Sequence, residues 1–251
     1  MTGGWRAARA RLAARLPMPL RHVVPVRHQE SAEVARRRRR VVAGVSVLGA
    51  GLLGVSLSTE PGSRRFYGSS LGVAAVWTLG GLASGPLHLG WIQTRDQRVS
   101  RPVLVPILTG AGAFGFFYCC ALVARRIPVL NRSLVSVLRF ADQGSGPLVL
   151  LTTCANGLGE EVFFRGALYG ALADRHPVAA STAVYTLATV PTRNPALVLA
   201  ATVMGPLLGL QRRASGGLQA PALTHLTWST LMLRYLPPLF RPEEESPAPL
   251  S

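Results

Sequence analysis

The chain has no lysine, and charged residues of any kind are scarce. All 27 of its basic residues are arginine, only 11 residues are acidic, and charged residues make up 15% of the sequence against 49% that are hydrophobic. An ordinary soluble domain carries a larger charged fraction than this. The composition therefore predicts a membrane protein, and we attribute the absence of lysine to codon bias rather than to chemistry.

Cysteine is also rare, and this excludes a disulfide framework. Cys119 and Cys120 are neighbours in one apolar segment, and Cys154 lies in another. None of the three has the Cys-x-x-Cys spacing that is typical of redox and zinc sites. Disulfide bonds are therefore not expected.

Arginine is concentrated near the start of the chain. Residues 1–40 contain 11 arginines, including an unbroken run from Arg36 to Arg40, and precede the first apolar segment. Such a block can bind nucleic acid, but beside a membrane span it more often sets the topology and contacts anionic lipid headgroups. We therefore expect membrane lipid and no nucleic acid as a partner. Residues 1–40 are interpreted as a largely disordered cytoplasmic leader, with at most a short interfacial helix around Trp5 to Leu16.

Apolar segments separated by polar or proline-containing connectors predict an all-α, polytopic membrane helix bundle of about seven spans. Pro86 is expected to kink the second span. Residues 124–146 carry four arginines among apolar residues, which suits an amphipathic helix at the membrane surface. The expected spans are roughly 41–57, 68–92, 103–123, 147–172, 178–190, 195–210 and 218–236.

Only two of the acidic residues lie inside an expected span. Glu160 and Glu161 are adjacent in the segment GLGEEVFFRG (157–166). Each charge near the centre of a bilayer costs about 2.5–3.5 kcal/mol on insertion scales. Glu161 and Arg165 are four residues apart and can pair on one helix face, whereas Glu160 is turned about 100° away and has no cation nearby in the sequence.

Glu160 is therefore a candidate functional residue. Burial makes a carboxylate a stronger base, which suits a general base that takes a proton from water. The alternative is that Glu160 and Glu161 only hold helices together through Arg165 and a second donor.

A second candidate lies in the last expected span, in the segment THLTWS (224–229). His225 and Ser229 are one helical turn apart and face the same way. The histidine can orient a water molecule or donate a hydrogen bond to a developing oxyanion, and the serine hydroxyl can assist. The alternative is a histidine bonded to a backbone carbonyl. His88, near the end of the second span, is more simply explained by packing at the membrane surface; the alternative is that it takes part in the site if its span packs there.

These residues resemble the signature of the CPBP family (CAAX protease and bacteriocin-processing, or Abi), intramembrane proteases that include the type II CAAX prenyl endopeptidases. The resemblance covers about residues 145–237. The family has a Glu-Glu-x-x-x-Arg segment, which Glu160, Glu161 and Arg165 match, and a final His-x-x-x-Asn or His-x-x-x-Asp segment, whose histidine is His225. The resemblance implies that Glu160 activates water, that Glu161 and Arg165 support it, and that His225 stabilises the oxyanion.

Two positions depart from the family signature. The middle motif is Phe-x-x-x-His, and this chain has YTLAT (185–189) in its place, so that Thr189 replaces the histidine. Ser229 replaces the final Asn or Asp. A threonine hydroxyl can bond a water molecule but cannot take its proton. These departures favour a second hypothesis, a catalytically silent membrane scaffold or immunity-type protein. A third is a small transporter or proton relay that uses Glu160 and His225.

The family is often called a metalloprotease family, but zinc sites usually have at least three protein ligands. The expected spans of the core offer only Glu160, Glu161 and one histidine, so we predict no tightly bound metal, and stoichiometric zinc in the purified protein would contradict this. The chain also lacks a His-Glu-x-x-His helix, a Gly-x-Ser-Gly segment within a span, and a pair of intramembrane aspartates. Any other cofactor is unknown.

The sequence thus predicts an intramembrane endopeptidase that hydrolyses a peptide or membrane-protein substrate near the bilayer. Glu160 would act as general base, and His225 with Ser229 would stabilise the oxyanion. Residues 41–145 would hold the first three spans and the surface helix, residues 146–237 the catalytic core, and residues 238–251 an acidic, proline-rich tail. We expect it in the plasma membrane of a bacterium with a cytoplasmic N-terminus, although the arginines of the surface helix do not fit that topology.

Overall fold

The computed structural model of the protein describes residues 15–21, 23–24, 31–93, 99–173 and 176–241. Three predictions concern residues that lie wholly or largely outside these ranges. They are the leader with its short interfacial helix, the charged connector after the second expected span, and the acidic tail. Where these segments lie outside the described ranges, their structure stays a prediction.

Within the described ranges the chain is helical apart from its connections and one short β-ladder, in which Ile92 pairs with Ser100 in antiparallel register. The strands are β1 (Ile92–Gln93) and β2 (Val99–Ser100). The helices are α1 (Met18–Arg21), α2 (Ala32–Ser56), α3 (Arg64–Ala83), α4 (Leu104–Ala124), α5 (Pro128–Asp142), α6 (Gly146–Glu160), a π-helix (Glu161–Leu168), α7 (Tyr169–Ala171), α8 (Pro177–Thr189), a 3-10 helix (Val190–Thr192), α9 (Pro195–Ser215), α10 (Gln219–Tyr235) and a 3-10 helix (Pro237–Phe240).

Four of these helices, α2, α3, α4 and α9, are long and apolar enough to cross a membrane. They have 25, 20, 21 and 21 residues, and a helix of about 20 residues spans the hydrocarbon core of a bilayer. The predicted all-α class is confirmed, and the count of seven spans is not. The other helices at expected spans are shorter, with 15 residues in α6, 13 in α8 and 17 in α10.

Two helices differ in extent from their predicted spans. Helix α2 begins at Ala32, well before the expected start of the span, because Ser31 caps it by accepting a hydrogen bond from the backbone N–H of Val34. The arginine run that we assigned to the leader is therefore helical. Helix α3 ends at Ala83, so the prediction that Pro86 kinks this helix is wrong. The chain leaves the helix through Gly85, whose φ of 133° is open to glycine.

The expected surface helix is present as α5. Arg132 and Arg139 are exposed on it, whereas Ser133 and Leu138 are buried, as an amphipathic helix requires. The side-chain amide of Asn194, the residue that caps α9, donates a hydrogen bond of 2.8 Å to the carbonyl of Ser133. This contact attaches α5 to the start of α9, and its position at a membrane surface stays a prediction.

Aromatic packing fixes the π-helix within the bundle. Helix α3 lies between α2 and α6, α8 packs along α9, and α10 packs against α4 and α6. Trp77 of α3 contacts Phe163 and Phe164 of the π-helix, with ring centroids 4.8 and 5.0 Å apart. All eight residues of the π-helix are buried. Large buried aromatic side chains contribute strongly to packing, so this cluster holds the π-helix in a defined position.

Glycine lets α6 approach α3 closely. A Cβ atom at Gly159 would lie 2.9 Å from the carbonyl oxygen of Ala74 in α3, whereas one at Gly157 would make only ordinary van der Waals contact, at 3.4 Å, with Leu226 in α10. A larger residue at position 159 would therefore push α6 away from α3. The close packing of α6 between α3 and α10 brings the two acids at its end beside the histidine of α10.

Candidate active site

A buried hydrogen-bonded network surrounds Glu161. Its Oε1 accepts hydrogen bonds from the Arg165 guanidinium at 3.0 Å and from Nδ1 of His225 at 2.7 Å. The side chains of Glu161 and Arg165 are 0% and 1% exposed. The spacing of four residues predicted the Glu161–Arg165 pair, and the structure has it. Because three charged or polar groups share this network, the end of α6 is fixed to α10.

Glu160 has a different environment. Its Oε2 accepts a hydrogen bond of 2.7 Å from the hydroxyl of Tyr185 on α8, and the same oxygen lies 4.0 Å from Nε2 of His225. The side chain of Glu160 is 15% exposed, whereas that of Glu161 is 0% exposed. The direct hydrogen bond of His225 is to Glu161 and not to Glu160.

The two nitrogens of His225 have separate roles. Glu161 is paired with Arg165 and, as a carboxylate, can only accept hydrogen bonds, so Nδ1 of His225 is the donor in their contact. This leaves Nε2 directed toward Glu160. A ring held through Nδ1 by a carboxylate presents its second nitrogen in a defined direction, where it accepts when neutral and donates when protonated.

Glu160 and His225 border the same cavity. This cavity has a volume of about 360 Å³, and its polar wall also includes Tyr185, Thr189 and Ser229. Most of the remaining lining is apolar and comes from several helices. The site residues predicted from the sequence are thus brought together, except that Glu161 and Arg165 lie behind this wall and do not line it.

Thr189 borders the cavity, but its hydroxyl is engaged. Its Oγ1 donates a hydrogen bond of 2.9 Å to the carbonyl of Tyr185, one turn earlier in α8. Because that hydroxyl still has lone pairs, it can accept a hydrogen bond from a molecule in the cavity. Thr189 can therefore form a hydrogen bond with a ligand in the cavity, but its hydroxyl cannot act as a base.

Among known protein families, one model matches this region. Its description is type II CAAX prenyl endopeptidase Rce1-like, and the match covers residues 143–231. The chain carries an Rce1-like segment. The match confirms the family resemblance of this part of the chain, and the matched family is one of endopeptidases. The four long apolar helices fit a membrane protein. No curated protein and no solved structure matches the chain.

The residues of the Rce1-like segment do not fit a zinc site. Within the ranges that the structure describes, no group of three or more His, Cys, Asp and Glu side chains is placed to hold a metal ion. Oε1 of Glu161 is engaged by Arg165 and His225, so the cavity offers one carboxylate, that of Glu160, and one ring nitrogen. Zinc sites usually have at least three protein ligands. We therefore derive no chemical step through a metal.

Two polar residues of the Rce1-like segment were not predicted as site residues. The hydroxyl of Tyr185 is the direct hydrogen-bond partner of Glu160, although the sequence suggested no role for it. Asn156 lines the cavity four residues before Glu160 and donates to the carbonyl and the hydroxyl of Ser70. The spacing of Asn156 from Glu160 was a signal, because residues four apart share a helix face. Nothing local in the sequence links Tyr185 to Glu160.

His88 and His176 lie apart from this site. His88 borders a second cavity and does not line the first. His176 has a φ of 51° and precedes the first residue of α8. Neither histidine therefore replaces the one that the middle motif of the family has at position 189.

Proposed function

We propose that the protein is an intramembrane endopeptidase that hydrolyses a peptide bond with water activated by Glu160. One observation carries the proposal: the Glu160 carboxylate and Nε2 of His225 lie 4.0 Å apart on the wall of one cavity. A carboxylate and a second polar group at this separation can both contact one water molecule or one reacting carbonyl. General base catalysis requires the base within hydrogen-bond reach of the proton that it abstracts.

Glu160 takes a proton from water, and the resulting hydroxide attacks the carbonyl carbon of the peptide bond. The tetrahedral intermediate carries its negative charge on the former carbonyl oxygen. Protonated Nε2 of His225 and the hydroxyl of Ser229 donate hydrogen bonds to that oxygen. When the C–N bond breaks, Glu160 returns its proton to the leaving amine. The proton that was removed from water thus ends on the product, and Glu160 is regenerated as a carboxylate.

Tyr185 and Glu161 act as positioning residues in this proposal. The Tyr185 hydroxyl donates to one oxygen of Glu160 and holds the carboxylate against rotation. Glu161 holds the imidazole of His225 through Nδ1 and stabilises its protonated form as the oxyanion develops. Fixing both reacting groups before the substrate binds reduces the reorganisation that the reaction needs.

We place this reaction in a membrane. Three further spans would be formed by α6 with the π-helix, by α8 and by α10. Together with the four long apolar helices they give seven spans, and α5 would lie at the membrane surface. The apolar lining of the cavity suits a peptide or membrane-protein segment that arrives from the bilayer. The arginine run near the start of α2 supports a cytoplasmic N-terminus, and we propose the plasma membrane of a bacterium as the location.

The decisive experiment compares Glu160→Gln with the unchanged protein in proteoliposomes. The reporters are a fluorescence-quenched peptide that ends in a farnesylated Cys-a-a-X sequence and a panel of unprenylated membrane-segment peptides. We expect the rate of cleavage to fall by a factor of about 10² to 10⁴ in Glu160→Gln, because the base is lost while an acceptor for Tyr185 remains. Glu60→Gln, which makes the same change at an exposed residue, should cleave at the unchanged rate. Equal rates for Glu160→Gln and the unchanged protein would refute the proposal.

One observation favours a second candidate function, a catalytically silent scaffold. Thr189 occupies the position of the middle-motif histidine and cannot accept a proton. If the unchanged protein cleaves none of the reporters while Thr189→His cleaves one, the protein has the site of a protease without its activity. Cleavage by the unchanged protein would exclude the silent scaffold.

A further inference from the structure

The protein has a second cavity that is separate from the first. Its volume is about 370 Å³, and none of the described residues that border it borders the first cavity. Two arginines from different parts of the chain face it. Arg212 comes from the last turn of α9, and Arg101 directly follows β2.

Arg212 is a buried cation with few protein partners. Arg212 is 3% exposed, and its Nε donates a hydrogen bond of 2.7 Å to the backbone carbonyl of Arg165. Its guanidinium lies over the ring of Tyr169, 5.1 Å from the centroid. A guanidinium has five N–H donors, and within the described ranges this one has no carboxylate partner. A buried charge without an opposite charge is costly, so the site favours an anion.

Arg101 is held in place by contacts that leave donors available. Its guanidinium carbon lies 3.7 Å from the centroid of the Trp91 ring, and one of its nitrogens donates to the carbonyl of Gly90 at 3.1 Å. None of the described residues that line this cavity is acidic. Two guanidinium groups thus border one cavity, and within the part of the chain that the structure describes no carboxylate of the lining neutralises them.

We infer that this second cavity binds a phosphate group, carried by a lipid headgroup or present as free phosphate. The planar fork of an arginine matches two oxygens of a phosphate, and two such forks can hold one group from different sides. The rim of the cavity includes Leu89 and Trp91, which are 51% and 50% exposed. Exposed apolar and aromatic side chains beside a cationic cavity suit an amphiphile whose chains extend into the bilayer. The inferred phosphate site is separate from the candidate active site, and the inference does not depend on the proposed peptide hydrolysis.

The test measures binding of two probes by the full chain in detergent. One probe is inorganic phosphate, followed by its effect on the unfolding temperature, and the other is phosphatidylglycerol against phosphatidylcholine in nanodiscs, followed by native mass spectrometry. The first variant is Arg101→Gln, because this residue is exposed and its replacement should leave the fold intact. We expect it to weaken binding by about ten-fold or more, as loss of a charged hydrogen-bond donor does. Arg212→Gln should weaken binding further.

The matched control is Arg125→Gln, which removes the same charge from an exposed position outside the cavity. It should bind both probes as the unchanged protein does. Selective binding of phosphatidylglycerol alone identifies a lipid headgroup, and stabilisation by inorganic phosphate alone identifies free phosphate. The inference is overturned if neither probe binds, or if Arg101→Gln and Arg125→Gln weaken binding equally. If Arg212→Gln does not fold, Arg101→Gln decides the outcome alone.

Discussion

The two sides of the junction between α6 and the π-helix use their polar groups differently. On one side Glu161 forms two short hydrogen bonds, to Arg165 and His225, and is fully buried. On the other side Glu160 has one hydrogen bond, from Tyr185, and borders a cavity. Of two acids that are adjacent in the sequence, one is thus a buried anchor, whose Oε1 accepts two hydrogen bonds and whose Oε2 has no partner among the described residues, and the other is the base of the proposed mechanism. Neighbouring positions on a helix face different surroundings, which is why adjacent acids can differ in this way.

The largest expected effect is on stability, from Glu161→Gln. This change leaves the buried guanidinium of Arg165 without its anion, and breaking a buried ion pair in this way costs about 3–5 kcal/mol. We expect the free energy of unfolding in detergent to fall by that amount, with a matching loss of folded protein. Glu160→Gln makes the same chemical change at the neighbouring residue and should keep the free energy of unfolding within about 1 kcal/mol. If the two variants were equally stable, the distinction between anchor and base would be lost.

Tyr185→Phe is expected to have an intermediate effect on cleavage. It removes the hydroxyl that orients Glu160 and keeps the ring that lies under the Arg165 guanidinium. One hydrogen bond contributes about 1 kcal/mol, so kcat should fall roughly ten-fold or less while KM stays the same. Tyr235→Phe, at an exposed tyrosine of α10, is the control and should change neither value. A change in KM with constant kcat would assign Tyr185 to substrate binding instead.

Ser229→Ala should have the smallest effect. The serine borders the cavity one turn after His225, and in the proposed mechanism it assists an oxyanion that His225 already stabilises. We expect kcat to fall by a factor of about 2 to 5, the lower part of the range for one hydrogen bond and less than the loss of a sole oxyanion donor would cause. Ser229→Asn, which supplies an amide donor, should recover the rate. Thr230→Ala on the exposed side of the same helix is the control, and an equal loss there would show that the effect is not specific.

Local sequence patterns predicted the helices better than their ends. Long apolar runs predicted helices at each expected span, but α2 starts earlier because of the cap at Ser31, and α3 stops before Pro86. The spacing of Glu161 and Arg165 predicted their pair because residues four apart on a helix are neighbours. The sequence could not predict which of the two acids His225 binds, because its partner Glu161 lies 64 positions away in the sequence.

Local patterns were enough to predict the all-α class, the positions of the helices and the polar residues of the core, because apolar runs and the charged residues within them are properties of neighbouring positions. The tertiary structure alone decided which acid binds His225, that Tyr185 holds Glu160, and that Arg101 and Arg212 border one cavity. Those relations depend on how α6, α8 and α10 pack and on where the chain returns after β2. Packing distances are set by side chains from distant parts of the chain, which no local pattern records.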